Sequence, residues 1–116
     1  MTAIGANILR AREALGWSQA ELAKRMGYKS RTSIHKIEAG KSDIPQSKIA
    51  EFAYVLGTTP AALLGLVDEE TQIKTDSIAK LVVRMRTDKS FYNAAMLLYE
   101  LDDERLEKIN EVLALL

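Results

Sequence analysis

A chain of 116 residues with 47% apolar and 28% charged residues, two prolines and six glycines carries enough apolar side chain for one small helical core. It has no cysteine and one histidine, which excludes a disulfide framework, a thiolate metal site and a structural zinc site. Sixteen basic and sixteen acidic residues cancel overall, but residues 1–66 hold nine basic against five acidic side chains, a net of +4, and the rest hold seven against eleven, a net of −4.

Such asymmetry points to a polyanion-binding front and a solvating or partner-binding back. The first residues lack the continuous apolar core of a secretory signal, and no apolar run approaches the roughly 20 residues needed to span a bilayer. A cytoplasmic chain with no membrane partner is the expectation.

In chain order, Ile4, Ile8, Ala11 and Leu15 fall at helical spacing before Gly16, which predicts a helix over about 3–15. Ser18 to Glu21 reads as a capping box, with Trp17 and Leu22 at the positions of a hydrophobic staple. Leu22, Ala23 and Met26 continue that helix to Gly27. Ile34 and Ile37 mark a further short helix closing near Ala39-Gly40, and two short helices around one tight turn form a helix-turn-helix. Pro45 permits a fourth helix through Ile49, Phe52, Ala53 and Leu56 to Gly57, and Thr59-Pro60 starts a fifth through Leu63 to Gly65.

Asp68 to Gln72 is polar and aperiodic, so residues 67–73 are expected to be a linker between a domain at 1–66 and a helical segment at 74–116. In that segment Ile78, Leu81, Val82 and Met85 form one stripe. Asp88 can cap a helix with Phe91, Ala94, Ala95 and Leu98, and Asp102 or Asp103 can cap a last one with Leu106, Ile109, Val112, Leu113 and Leu116. About 45 residues with this much apolar face cannot bury it alone, which implies packing on the first domain or on another copy of the chain, with self-association the favoured expectation. Removal of residues 72–116 is expected to leave a folded, mostly monomeric domain.

An α-helix fits the major groove of double-stranded DNA, and residues near the start of the second helix of such a motif reach base edges. Here these are Arg31, Thr32 and Lys36, flanked by Ser30 and His35. Arg31 has the fork to bond guanine O6 and N7 together, Thr32 offers a hydroxyl and a methyl, and Lys36 reaches a guanine or a phosphate. Phosphate contacts are expected from Gln19 and the Gly40-Lys41-Ser42 segment, with Arg10, Lys29 and Lys48 at the rim. Glu38 is read as closing a local ion pair or cap. The sequence carries no glycine-rich phosphate loop, no paired-carboxylate motif and no cofactor signature, so no enzymatic role is expected.

The string SQAELAKRMGYKSRTSIHKIEAGKSDIP, followed by KIAEFAYVLGTTPAALLG, resembles the phage Cro/CI repressor type of helix-turn-helix, the XRE family, over about residues 4–66. Gln19, Ala23, Gly27, Ile34, Ile37, Glu38 and Gly40 fall in the family order. The resemblance implies an all-α, five-helix lambda-repressor-like DNA-binding domain, here followed by a helical C-terminal extension. It implies homodimers on palindromic operators, repression or activation of nearby promoters, base reading at Arg31, Thr32 and Lys36, and a backbone contact from Gln19. From Gly27 to Ile34 the chain is one residue longer than the family turn, which leaves the helix start, and Ser30 in place of Thr32, open. The C-terminal helices are similar to those on short repressors of phages and mobile elements. A second reading is an antitoxin-like module whose residues 74–116 grip a protein partner while DNA binding is autoregulatory.

Overall fold

The computed structural model describes residues 3–116, so the first two residues of the expected 1–66 domain lie outside the described ones. Among these residues there are eight helices and no strand: α1 (Ala3–Ala14), α2 (Gln19–Met26), α3 (Thr32–Glu38), α4 (Gln46–Val55), α5 (Pro60–Leu63), α6 (Glu69–Thr87), α7 (Lys89–Tyr99) and α8 (Asp103–Leu113). The all-α expectation of five helices followed by a helical extension therefore stands. No described helix is long and apolar enough to cross a membrane.

The first five helices end in the same way. Gly16, Gly27, Gly40, Gly57 and Gly65 all take positive φ, between 70° and 77°, and the amides there fold back onto the preceding turn. At α2 the Tyr28 N–H donates to the Ala23 carbonyl at 2.9 Å and the Gly27 N–H to that of Lys24 at 3.1 Å.

Starts are capped by side chains: Ser18 Oγ accepts from the Glu21 amide at 3.0 Å, and Thr59 Oγ1 from the Ala62 amide at 3.2 Å. Only half of the expected capping box forms. The Glu21 carboxylate pairs with Arg25 Nε at 3.3 Å, and the Arg25 guanidinium lies 4.0 Å over the Trp17 ring.

These caps place α1 against α3 and α5, and α2 against α3 and α4. Their apolar faces converge on Ile8, Leu22, Ile34, Phe52, Leu56 and Leu63, all essentially inaccessible to water. Gly5 lets α1 approach the C-terminal turn of α3, because a Cβ there would collide with the Ile37 carbonyl.

Two expectations for the following stretch are corrected. The segment read as a linker, 67–73, is helical from Glu69, because Asp68 Oδ1 accepts the Thr71 amide at 2.7 Å and so opens α6. Of the stripe read on α6, Ile78 and Leu81 face outward, 49% and 48% exposed, and Val82 and Met85 are half-buried, while Ala79 and Val83 are buried in the core of the first five helices. Ala79 and Val83 lie directly over Gly57, where an added Cβ would meet the Ala79 carbonyl and Val83 Cγ2. Arg10 Nε to Asp76 Oδ2, at 3.4 Å, adds an ion pair on the same side of α6.

The chain divides into two compact units, the first ending at Val83 and the second comprising Arg84–Leu116. In the second, Asp88 Oδ1 accepts the Phe91 amide at 3.0 Å and starts α7, and Asp102 Oδ1 accepts the Arg105 amide at 2.9 Å and starts α8. No residue of α7 or α8 is buried.

The capping carboxyls give a pH signature. The Thr71 N–H holds Asp68, and the Phe91 N–H holds Asp88, below their ordinary value of 3.8. A depressed carboxyl contributes stability that is present above its ordinary value and is lost as pH falls through the lowered folded value. Acidification is therefore expected to release the first turns of α6 and α7, read as faster amide exchange at Thr71 and Phe91. An Asp88→Asn variant with the wild-type acid profile at Phe91 would show that the cap carries none of this dependence.

Candidate nucleic-acid interface

The second helix of the motif, α3, is divided lengthwise. Ile34 and Ile37 enter the core, and Arg31, Thr32, His35 and Lys36 are exposed on the other side. At its start Ser30 Oγ accepts the Thr32 amide at 3.3 Å, Arg31 stands at the N-cap and Thr32 is the first helical residue. Ser30 and Arg31 thus belong to the turn, while Thr32, His35 and Lys36 lie on the helix. Arg31, Thr32 and His35 line a hollow of about 210 Å³. A second hollow of about 370 Å³ is lined by Lys24, Lys29, Ser30 and Arg31 together with the turn.

At its C-terminal end α3 is fastened from inside. Glu38 is nearly inaccessible, with its side chain 4% exposed, and its carboxylate is held by Arg12 from α1: Nε to Oε2 at 2.7 Å and Nη2 to Oε1 at 2.9 Å. Arg12 Nη1 also donates to the Trp17 carbonyl at 2.8 Å, and Gln19 Nε2 donates to Glu38 Oε1 at 3.0 Å. This fork joins α1, the entry to α2 and the end of α3, and the hydrogen bond to Glu38 keeps the Arg12 guanidinium firmly charged, its pKa raised. The Glu38 partner therefore lies 26 residues away rather than nearby.

The phosphate candidates separate on inspection. Gln19 is held at the start of α2 by Glu38, with its second amide hydrogen left to point elsewhere. The amides of Gly40 and Lys41 are consumed by the Ile37 and Lys36 carbonyls at 3.1 and 2.8 Å, so in this segment only the Lys41 side chain and Ser42 offer donors outward. Lys29 is exposed beside Ser30. Arg10 is engaged by Asn7 and Asp76 and is not brought together with the α2–α3 group.

One residue escaped the sequence reading. Lys24 is exposed and lines the same hollow as Lys29 and Arg31. Its signal was present in the register, five positions beyond Gln19, on the side of α2 away from Leu22 and Met26.

Charge pairing sorts the nine cations of α1 to α5 and their loops. Arg10, Arg12, Arg25 and Lys48 are paired with Asp76, Glu38, Glu21 and Glu51. Among the described residues Lys24, Lys29, Arg31, Lys36 and Lys41 form no ion pair, and all five fall within residues 24–41. Within α1 to α5 and their loops, unneutralised positive charge is thus confined to the helix-turn-helix and its immediate exit, the arrangement suited to a polyanion. No cluster of three residues able to hold a metal ion occurs among the described residues.

A family model described as Helix-turn-helix matches residues 8–63. Neither curated proteins nor solved structures gave a match. The matched span runs from Ile8 in the core of α1 to Leu63 at the end of α5 and contains the whole Arg12, Gln19 and Glu38 network. Residues 8–63 are a helix-turn-helix domain of the XRE type, which supports a DNA-binding transcription regulator.

Proposed function

We propose that the protein is a sequence-specific repressor that binds a palindromic operator as a homodimer, in the manner of regulators of a phage, mobile element or bacterial operon. The observation that carries this reading is the confinement of all five unpaired cations of the first five helices to residues 24–41. Arg31, Thr32, His35 and Lys36 read base edges in the major groove, with Ser30 at the flank, because they are the exposed side chains at the start of α3. Gln19, Lys24, Lys29, Lys41 and Ser42 hold the phosphate backbone and set the register. Two half-sites about 34 Å apart are then read together by two copies.

The test is binding to the intergenic DNA beside its own gene, against scrambled DNA of equal length, over a salt series. Arg31→Ala is expected to cost about 1–3 kcal/mol and to relax preference at one base position, whereas Gln19→Ala weakens all sequences alike. Unchanged affinity and preference in Arg31→Ala would overturn this placement of the reading face.

A further inference from the structure

Arg31 lines two hollows at once. On the α3 side it stands with Thr32 and His35, and on the α2 side it closes a separate hollow of about 370 Å³. Small residues leave that second space open. Ala20, Ala23 and Gly27 fall at i, i+3 and i+7 on one side of α2, and a Cβ added at Gly27 would meet nothing within 4 Å. The charged part of the lining is Lys24, Lys29 and Arg31, three of the five cations of this region that form no ion pair. No acidic side chain lines the hollow among the described residues.

We propose that this hollow binds a small organic phosphate, and that its occupation opposes operator binding because both draw on Arg31. Three cations around one space ask for a ligand of more than one negative charge. A phosphomonoester carries about −1.5 to −2 at neutral pH, and its oxygens suit both the planar fork of an arginine and the point charge of a lysine. A backbone phosphate of DNA shares that chemistry but carries a single charge and is fixed in the duplex. The volume also favours a free organic ligand. It would hold about a dozen waters at ~30 Å³ each, more than a bare phosphate group fills, and its uncharged α2 side gives an apolar group a place to lie.

Arg31 carries the coupling. A guanidinium drawn to a phosphate on the α2 side is withdrawn from base edges on the α3 side, so ligand and operator weaken each other by the same factor. The coupling rests on the operator reading given above, whereas the binding of the ligand does not.

The test uses the full chain with phenyl phosphate as the probe, at constant ionic strength. Without DNA, the amide resonances of residues 27–31 should shift and saturate with a dissociation constant at or below about 1 mM. The double variant Lys24→Ala, Lys29→Ala should lose this saturation. Ala20→Leu should lose it too, because it fills the hollow and leaves every cation in place, whereas Lys80→Ala on α6 should keep it. With the intergenic DNA present, saturating probe is expected to weaken binding about 5- to 150-fold, an effect that Ala20→Leu removes. Absence of saturation in the wild type, or saturation that survives Ala20→Leu, would overturn the site, and equal affinity for inorganic phosphate would overturn the choice of an organic ligand. Probe binding that leaves DNA affinity unchanged would sink the coupling. Loss of DNA affinity in the double variant with no probe binding at all would give the hollow to a backbone phosphate and end the proposal. If the wild type binds no DNA selectively, the operator reading and the coupling fall together, and the titration still decides the site.

Discussion

Glu38→Ala is expected to lower the unfolding free energy by about 3–5 kcal/mol, the range for removing one partner of a buried ion pair. The residue left behind makes the cost large. The Arg12 side chain is only 11% exposed, and without Glu38 it loses both arms of its fork while staying charged and largely cut off from water. Its remaining bond to the Trp17 carbonyl cannot compensate for a full charge. Gln19 loses its anchor in the same step, so operator affinity should fall along with stability.

Replacing both partners by leucine should recover a large part of the loss, because an apolar pair of similar volume needs no desolvation of charge. Arg12→Lys with Glu38 in place should itself lose much of the pair's stabilisation, because an ammonium cannot span both oxygens. Chemical denaturation of the three variants against the wild type measures this. A Glu38→Ala cost below about 1 kcal/mol, typical of an exposed pair, would mean that water screens the fork and that α3 is held by its isoleucines alone.

Gly57→Ala should cost about 2–5 kcal/mol, with two separable parts. The residue sits at φ 70°, where an L side chain costs roughly 1–2 kcal/mol. In addition, a Cβ there would stand 2.6 Å from the Ala79 carbonyl oxygen and 2.9 Å from Val83 Cγ2, so α6 would have to move, an overpacking cost of about 1–3 kcal/mol. Gly27→Ala supplies the control, since Gly27 has φ 77° and nothing within 4 Å of its would-be Cβ. It should show the conformational part alone. Equal costs for the two variants would mean that α6 does not bear on the end of α4. The same contact revises the expected truncation: a chain cut before residue 72 loses Ala79 and Val83 from its core and should be destabilised rather than merely monomeric.

What could be read in the sequence was local. Each of the five glycine stops, and the caps at Ser18, Thr59, Asp88 and Asp102, is a signal spanning three to five residues between one backbone amide and one nearby acceptor. What could not be read was set at long range or by size. Asp68 looks like any polar linker residue until its carboxylate is seen on the Thr71 amide. The docking face of α6 uses Gln72, Asp76, Ala79 and Val83, a set with little hydrophobic periodicity, whereas the legible stripe of Ile78 and Leu81 points away from the core. Glu38 gave no hint of Arg12, 26 residues earlier, and Arg10 looked like a free rim charge although Asp76 claims it. The candidate reading residues were legible because exposure on a short helix follows directly from where its two isoleucines must go.

The lengthwise division of α3 also bears on how such a protein can change. Arg31, Thr32, His35 and Lys36 make no side-chain hydrogen bond or ion pair within the chain among the described residues, whereas Ile34, Ile37 and Glu38 on the opposite side hold the helix in place. If these residues read bases as proposed, mutations there are expected to alter target preference with little penalty in folding, since they are exposed, Arg31 at the N-cap makes no side-chain cap hydrogen bond, and such positions tolerate replacement within about 0.5 kcal/mol. A lineage carrying this scaffold can therefore drift from one operator to another one residue at a time, passing only through folded intermediates, and a designer can vary four codons without touching the frame.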